Sequence, residues 1–131
     1  MEARIIAGGS KQDETHELWT EERCFILETW NDPRDPDVAL ARARVEPGVT
    51  TERHRLGVDE RYIITEGRGQ MEVEGLAPAD VGPGDVVMIP AGRWQQIRNT
   101  GDDDLVFHCV CTPRFEQRLY EAAEQANQRA T

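Results

Sequence analysis

The sequence predicts an all-β sandwich or barrel that ends in one α-helix. Short apolar stretches alternate with clusters of Gly, Pro, Asn and Asp about every 8–12 residues, which is typical of short antiparallel strands. After residue 112 the apolar residues change to helical spacing. The 131 residues suit one domain, which we divide into an N-terminal arm over 1–21, a β domain over 22–112 and a helix over 113–131.

The β domain contains seven predicted strands, which are separated by turn residues. They cover 24–27, 38–45, 61–65, 70–74, 85–89, 94–98 and 105–111. Pro33, Pro47 and Pro90 lie in the turns after the first, second and fifth strands, where proline ends strand pairing. Gly67 and Gly69 follow the third strand, and we expect them to take the positive φ of a tight hairpin.

The last strand and the helix have two distinct faces. In the strand over 105–111, Phe107, Cys109 and Cys111 share one face, which we expect to be buried, and His108 points outward. Thr112 and Pro113 suit the N-cap and first position of a helix. The apolar spacing that follows predicts about three helical turns packed on the outside of the β domain.

Composition excludes several classes of function. With 15 Lys+Arg against 25 Asp+Glu, the net charge of −10 repels phosphate backbones and argues against nucleic-acid binding. We find no apolar run of about 18 residues that would predict a membrane span. The three cysteines, an odd number, and an N-terminus without a long apolar segment predict reduced thiols in the cytoplasm.

Two spaced motifs in the middle of the chain carry a family resemblance. The first consists of Gly48, His54, Leu56, Glu60 and Gly67. The second consists of Gly84, Pro90, Gly92, Gln95 and Asn99. The spacing resembles that of the cupin superfamily, and the chain is similar to small single-domain bacterial cupins, which implies a jelly-roll barrel. Leu56 and Gln95 stand where the family pattern has histidine.

The resemblance implies a divalent metal such as Zn, Mn, Fe or Ni in the barrel. The family holds such a metal with three His and one Glu, and the matching positions here leave His54, Glu60 and Gln95 as ligands. Leu56 cannot bind a metal. The alternative is a metal-free apolar pocket in which His54 and Glu60 hydrogen-bond to each other.

The resemblance also implies a small polar molecule as the partner of this pocket. Glu60 and Tyr62, two residues apart on one strand face, are the candidate catalytic residues. The enzyme would be a sugar-phosphate isomerase or a dioxygenase. The alternative is a non-catalytic ligand-binding or sensor protein.

Several further expectations concern charged residues and assembly. Arg42 and Arg44 either point into the pocket, where they could bind a carboxylate or phosphate, or lie on the outer face. Glu22 and Arg23 are expected on the surface. We also expect a homodimer, with the strand over 24–27 pairing across the two chains.

Overall fold

Alternating burial along each strand builds two antiparallel sheets that face each other. The computed structural model describes residues 1–130. Its strands are β1 (Leu18–Trp19), β2 (Phe25–Trp30), β3 (Ala39–Val45), β4 (His54–Leu56), β5 (Asp59–Glu66), β6 (Gly69–Val73), β7 (Ala79–Val81), β8 (Val86–Ile89), β9 (Gln95–Asn99), β10 (Leu105–Thr112) and β11 (Tyr120–Ala122). The helix α1 spans Ala123–Ala130, and 3₁₀ turns span Glu14–His16 and Gln117–Leu119. The all-β prediction is confirmed.

The strand order is that of a jelly-roll barrel. One sheet has the order β1-β2-β3-β10-β5-β8, and the other has the order β11-β4-β9-β6-β7. Their inner faces enclose a core that includes Val45, Ile64, Ile97, Leu105 and Phe107, each at most 2% exposed. Val45, Ile64 and Ile97 alternate along their strands with more exposed neighbours, so this part of the core follows from the two-residue period of β-strands. Val106, between Leu105 and Phe107, is also buried, at an irregularity in the pairing of β10 with β5.

The predicted faces of β10 are confirmed. Phe107, Cys109 and Cys111 are buried, whereas His108 is exposed. The hairpin glycines differ from each other. Gly67 has a φ of 83°, as expected. Gly69 does not need a positive φ, and its role is steric: a Cβ there would lie 2.9 Å from the Arg98 carbonyl oxygen.

The predicted helix over 113–131 is wrong over its first half. Thr112 lies in β10 opposite Asp59 rather than at a helix cap. Tyr120–Ala122 forms β11, which pairs with β4. The helical spacing of the sequence is overridden here because pairing with β4 satisfies the backbone and places Tyr120 against the core. The helix therefore begins at Ala123, and Thr131 lies outside the described residues.

The predicted arm is partly attached to the sheet. Leu18 and Trp19 of β1 pair with Ile26 and Phe25 of β2, and the Lys11 amide donates to the Thr29 carbonyl oxygen. These contacts occupy the outer edge of β2, so the strand expected to pair across a dimer lies inside the sheet. The homodimer itself stays a prediction. Among residues 1–130, no helix is long and apolar enough to cross a membrane.

Candidate functional site

A cavity of about 500 Å³ lies between the two sheets and opens toward the N-terminal arm. Apolar side chains form most of its wall, including Ile26, Ala43 and Phe107. Its buried or half-buried polar groups include Glu22, His54, Glu60 and Tyr62, and more exposed polar residues line it from the arm and β2. The volume lies within the range of about 300–1,000 Å³ that is usual for small-molecule sites.

A chain of hydrogen bonds crosses the barrel beside this cavity. The Tyr62 hydroxyl donates to Gln95 Oε1 at 2.6 Å, and Gln95 Nε2 donates to Glu60 Oε1 at 2.9 Å. Glu60 and Tyr62 alternate on β5 and so share the inward face, while Gln95 opens β9 on the facing sheet. All three are at most 7% exposed. The structure therefore brings together three predicted site residues, Glu60 and Tyr62 on β5 and Gln95 on β9.

Burial controls the protonation of this chain. It raises the pKa of Glu60 above its usual value, and the Gln95 hydrogen bond and the nearby His54 offset part of that effect. Burial and the nearby Glu60 also raise the pKa of Tyr62. Burial thus shifts Glu60 toward its protonated form, against the effect of the Gln95 hydrogen bond, and keeps Tyr62 as a neutral phenol.

His54 is fixed at the cavity by the groups around its ring. Its Nδ1 lies 2.9 Å from the Glu52 carbonyl oxygen. A carbonyl can only accept, so Nδ1 carries the hydrogen, and Nε2 of the neutral ring keeps its lone pair. Nε2 lies 3.6 Å from Glu22 Oε1. The ring stacks on Tyr120 with 5.1 Å between centroids, and the Tyr120 hydroxyl donates to Glu52 Oε1.

Glu22 belongs to the site, although we expected it on the surface. Its side chain is only 18% exposed and lines the cavity. The Glu52 amide donates to the Glu22 carbonyl oxygen, and Arg23 Nε donates to the Thr50 carbonyl oxygen. These two long-range hydrogen bonds attach the β1–β2 hairpin to the segment that leads into β4. They leave no local sequence pattern, so no signal in the sequence could have identified Glu22.

The remaining candidates lie away from the polar end of the cavity. Arg42 and Arg44 point outward, and both contact Glu17, with Arg44 Nη2 2.6 Å from Glu17 Oε1.

The three cysteines, Cys24, Cys109 and Cys111, are buried free thiols. Burial raises the pKa of each, so they remain neutral apolar wall groups rather than nucleophiles.

The side chains present do not fit the expected metal centre. Both atoms of the Gln95 amide are engaged, with Tyr62 and Glu60, and Leu56 offers no donor. Within residues 1–130, no group of three or more His, Cys, Asp or Glu side chains is placed to hold a metal ion. The alternative of a direct His54–Glu60 hydrogen bond is also wrong for the described residues. Glu60 accepts from Gln95, and His54 donates to Glu52.

The chain matches the family described as Cupin domain over residues 41–111. A comparison with curated proteins found no match.

Among solved structures, the chain is similar to a cupin 2 conserved barrel domain protein from Salinispora arenicola. They share 21% identity and a TM-score of 0.65, over 99% of this chain and 96% of that one.

Two further structures resemble the chain in fold. Oxalate decarboxylase from Lactobacillus farciminis, in a formate complex, has 20% identity and a TM-score of 0.71 over 84% of this chain. The matching region covers only 34% of that decarboxylase. A variant of Streptomyces PAC13 with uridine has 12% identity and a TM-score of 0.69, over 94% of this chain and 91% of that one. Pac13 is described as a nucleoside dehydratase.

Proposed function

The chain belongs to the cupin domain family, and from this premise we propose that its barrel cavity binds a small polar molecule and transfers protons to or from it without a resident metal. The observation that carries the proposal is the setting of His54. This buried ring is anchored at Nδ1 by the Glu52 carbonyl oxygen and presents Nε2 to the cavity beside Glu22. Such anchoring fixes the tautomer of a histidine that acts as a general base.

The chemistry divides between His54 and Glu60. Neutral His54 accepts a proton at Nε2, and the carboxylate of Glu22 stabilises the imidazolium that results. Burial shifts Glu60 toward its protonated form, and we assign it the role of general acid that supplies a proton. Tyr62 acts through Gln95, which holds the Glu60 carboxyl in place. Tyr62 is therefore a positioning residue rather than the catalytic residue that the sequence led us to expect.

The expected isomerase and dioxygenase activities receive less support than metal-free proton transfer. A dioxygenase of this family would need the metal centre that these side chains do not fit. A sugar phosphate would need cationic partners, and the nearby arginines of β3 point outward to Glu17. Members of this fold bind other molecules as well, as the uridine held by the PAC13 variant illustrates.

Non-catalytic binding is the second candidate, and the hydrogen bonding of Glu60 favours it. The carboxyl is only 7% exposed and is hydrogen-bonded to Gln95, which limits its contact with a ligand. The two candidates share the cavity and differ only in whether a bound molecule is converted.

The test combines metal analysis with ligand binding. Purified protein is incubated with Mn, Fe, Ni or Zn and analysed for bound metal, and a library of neutral water-soluble fragments is screened by NMR. We expect substoichiometric metal and fragments that shift resonances of cavity residues. His54→Gln should abolish these shifts, whereas the exposed control His108→Gln should keep them. Stoichiometric metal that depends on His54 would contradict the proposal. Conversion of a bound fragment distinguishes the enzyme from the binding protein.

A further inference from the structure

We propose that the cavity selects molecules that carry a protonated amine on an apolar body, with the Glu22 carboxylate as the partner of the amine. The inference rests on the proposed function, because it names the ligand class of the same cavity. It requires a mostly apolar cavity with a half-buried carboxylate in its wall and few competing cations. The lining also contains Glu21 and Glu28, but both are exposed.

The cations of the chain are kept out of this cavity. Its lining, within the described residues, contains no arginine and only one lysine, Lys11, which is exposed on the arm. Strand β3 shows the cause, since alanines 41 and 43 line the cavity while Arg42 and Arg44 alternate with them on the outer face. These two arginines of β3 are therefore paired with Glu17 outside the cavity.

Glu22 has hydrogen-bonding capacity left for a ligand. A carboxylate offers about four lone-pair sites. The side-chain contacts of Glu22 are long: 3.6 Å to His54 Nε2 and 3.6 Å from Cys24 Sγ. With its side chain 18% exposed, it is screened less than a surface acid. A charge-assisted hydrogen bond from an ammonium group would fill the unused sites.

The backbone that carries Glu22 is held in place. The Glu52 amide donates to the Glu22 carbonyl oxygen at 2.9 Å. The next residue, Arg23, has a φ of 64° and its Nε donates to the Thr50 carbonyl oxygen. The position of this backbone is thus preorganised, which reduces the ordering cost of binding.

The apolar wall of the cavity favours a ligand whose amine is attached to an apolar body. Ile26, Ala43 and Phe107 form a surface suited to an aromatic or aliphatic body, and the Phe107 ring stacks on Tyr62 at 4.3 Å between centroids. An anion of the same shape would be repelled by the Glu22 carboxylate, and the described lining offers no arginine to pair with it. A neutral molecule of the same shape should bind with an affinity between those of the amine and the anion.

The experiment uses three probes of matched shape: phenethylamine, 2-phenylethanol and phenylacetate. Each is titrated into the full-length protein at pH 7, and Kd is measured from NMR shifts of cavity residues. We expect phenethylamine to bind about tenfold or more tightly than phenylacetate. Glu22→Gln should remove most of that preference. The matched control Glu46→Gln removes the same charge from an exposed residue outside the cavity lining and should keep it.

The outcomes separate this inference from the proposed function. Tighter binding of phenylacetate or 2-phenylethanol, mapped to the cavity, overturns the amine preference and leaves the binding function intact. An amine preference that survives Glu22→Gln also overturns the inference. If none of the three probes shifts a cavity resonance while fragments from the neutral library do, the amine class is wrong. If no molecule of either set binds, both proposals fail.

Discussion

The two polar regions of the cavity are built in opposite ways. Glu60, Tyr62 and Gln95 lie on β5 and β9 and are joined by hydrogen bonds of 2.6 and 2.9 Å. Glu22 and His54 lie on a hairpin and a three-residue strand, and their closest atoms are 3.6 Å apart. The first region is a closed network, and the second has unused acceptors facing the cavity.

This difference suggests a division of labour between the regions. Groups that satisfy one another across a barrel stabilise the fold, because breaking a buried partnership is costly. Groups that are held in place but incompletely paired are available to a ligand. Substitutions in the closed network should therefore change stability, and substitutions at the hairpin should change binding.

Gln95→Leu should give the largest effect on stability. It leaves the Tyr62 hydroxyl and the Glu60 carboxyl without their shared partner at a position that is 1% exposed. Each buried group left unpaired costs about 1–3 kcal/mol, so we expect a loss of about 2–6 kcal/mol for the two groups. Urea denaturation at pH 7 measures it.

The neighbouring Gln96 is the control for that substitution. Its Nε2 donates to Glu72 Oε2 on the half-buried opposite side of the strand. Gln96→Leu should change the free energy of unfolding by less than about 0.5 kcal/mol. Equal effects of the two substitutions would show that the network does not stabilise the barrel more than a surface pair does.

Glu60→Gln should change how stability depends on pH. Burial raises the pKa of Glu60 above its ordinary value of 4.5, so the folded state binds this proton more tightly than the unfolded state. The contribution of this proton to the free energy of unfolding is complete below pH 4.5 and is lost as the pH rises through the folded-state pKa of Glu60. Glutamine can still accept from Gln95 and has no proton to lose.

The variant should therefore gain stability relative to the wild type between pH 5 and pH 8. The sign follows from the direction of the Glu60 pKa shift, since only the wild type has to release this proton as the pH rises. Urea denaturation at both pH values measures it. Glu66→Gln, on the exposed end of the same strand, should show no such gain. A parallel pH dependence of Glu60→Gln and the wild type would rule out a buried neutral Glu60.

The same contrast explains what could be predicted from the sequence. Residues at fixed spacing on strands, such as Glu60, Tyr62 and Gln95, come together because strand alternation and barrel closure dictate their faces. Glu22 could not be predicted, because its position depends on hydrogen bonds to Glu52, 30 residues further along the chain.

Pairing between distant strands also caused the error at the C-terminus. Residues 120–122 have helical spacing, yet they complete the sheet beside β4 because that strand offers an unpaired edge. His54 and Leu56 lie on β4 itself, a strand of three residues that was too short to predict. Local patterns thus identified the long strands, whereas short strands at sheet edges required the tertiary structure.

Arg23 should give the smallest effect and the most direct test of how the hairpin is held. Its φ of 64° is unfavourable for a residue with a side chain, whereas glycine adopts it freely. Arg23→Ala and Arg23→Gly both lose the hydrogen bond to the Thr50 carbonyl oxygen, so their difference isolates the backbone conformation. We expect the glycine variant to be more stable than the alanine variant by about 0.5–1 kcal/mol, measured by urea denaturation. Both should retain the phenethylamine preference, since the Glu52 amide still holds the Glu22 carbonyl oxygen. An alanine variant as stable as the glycine variant would mean that the turn is not held in the left-handed conformation. Glu22 would then be free to leave the cavity, and the two regions would no longer differ in how firmly their side chains are placed.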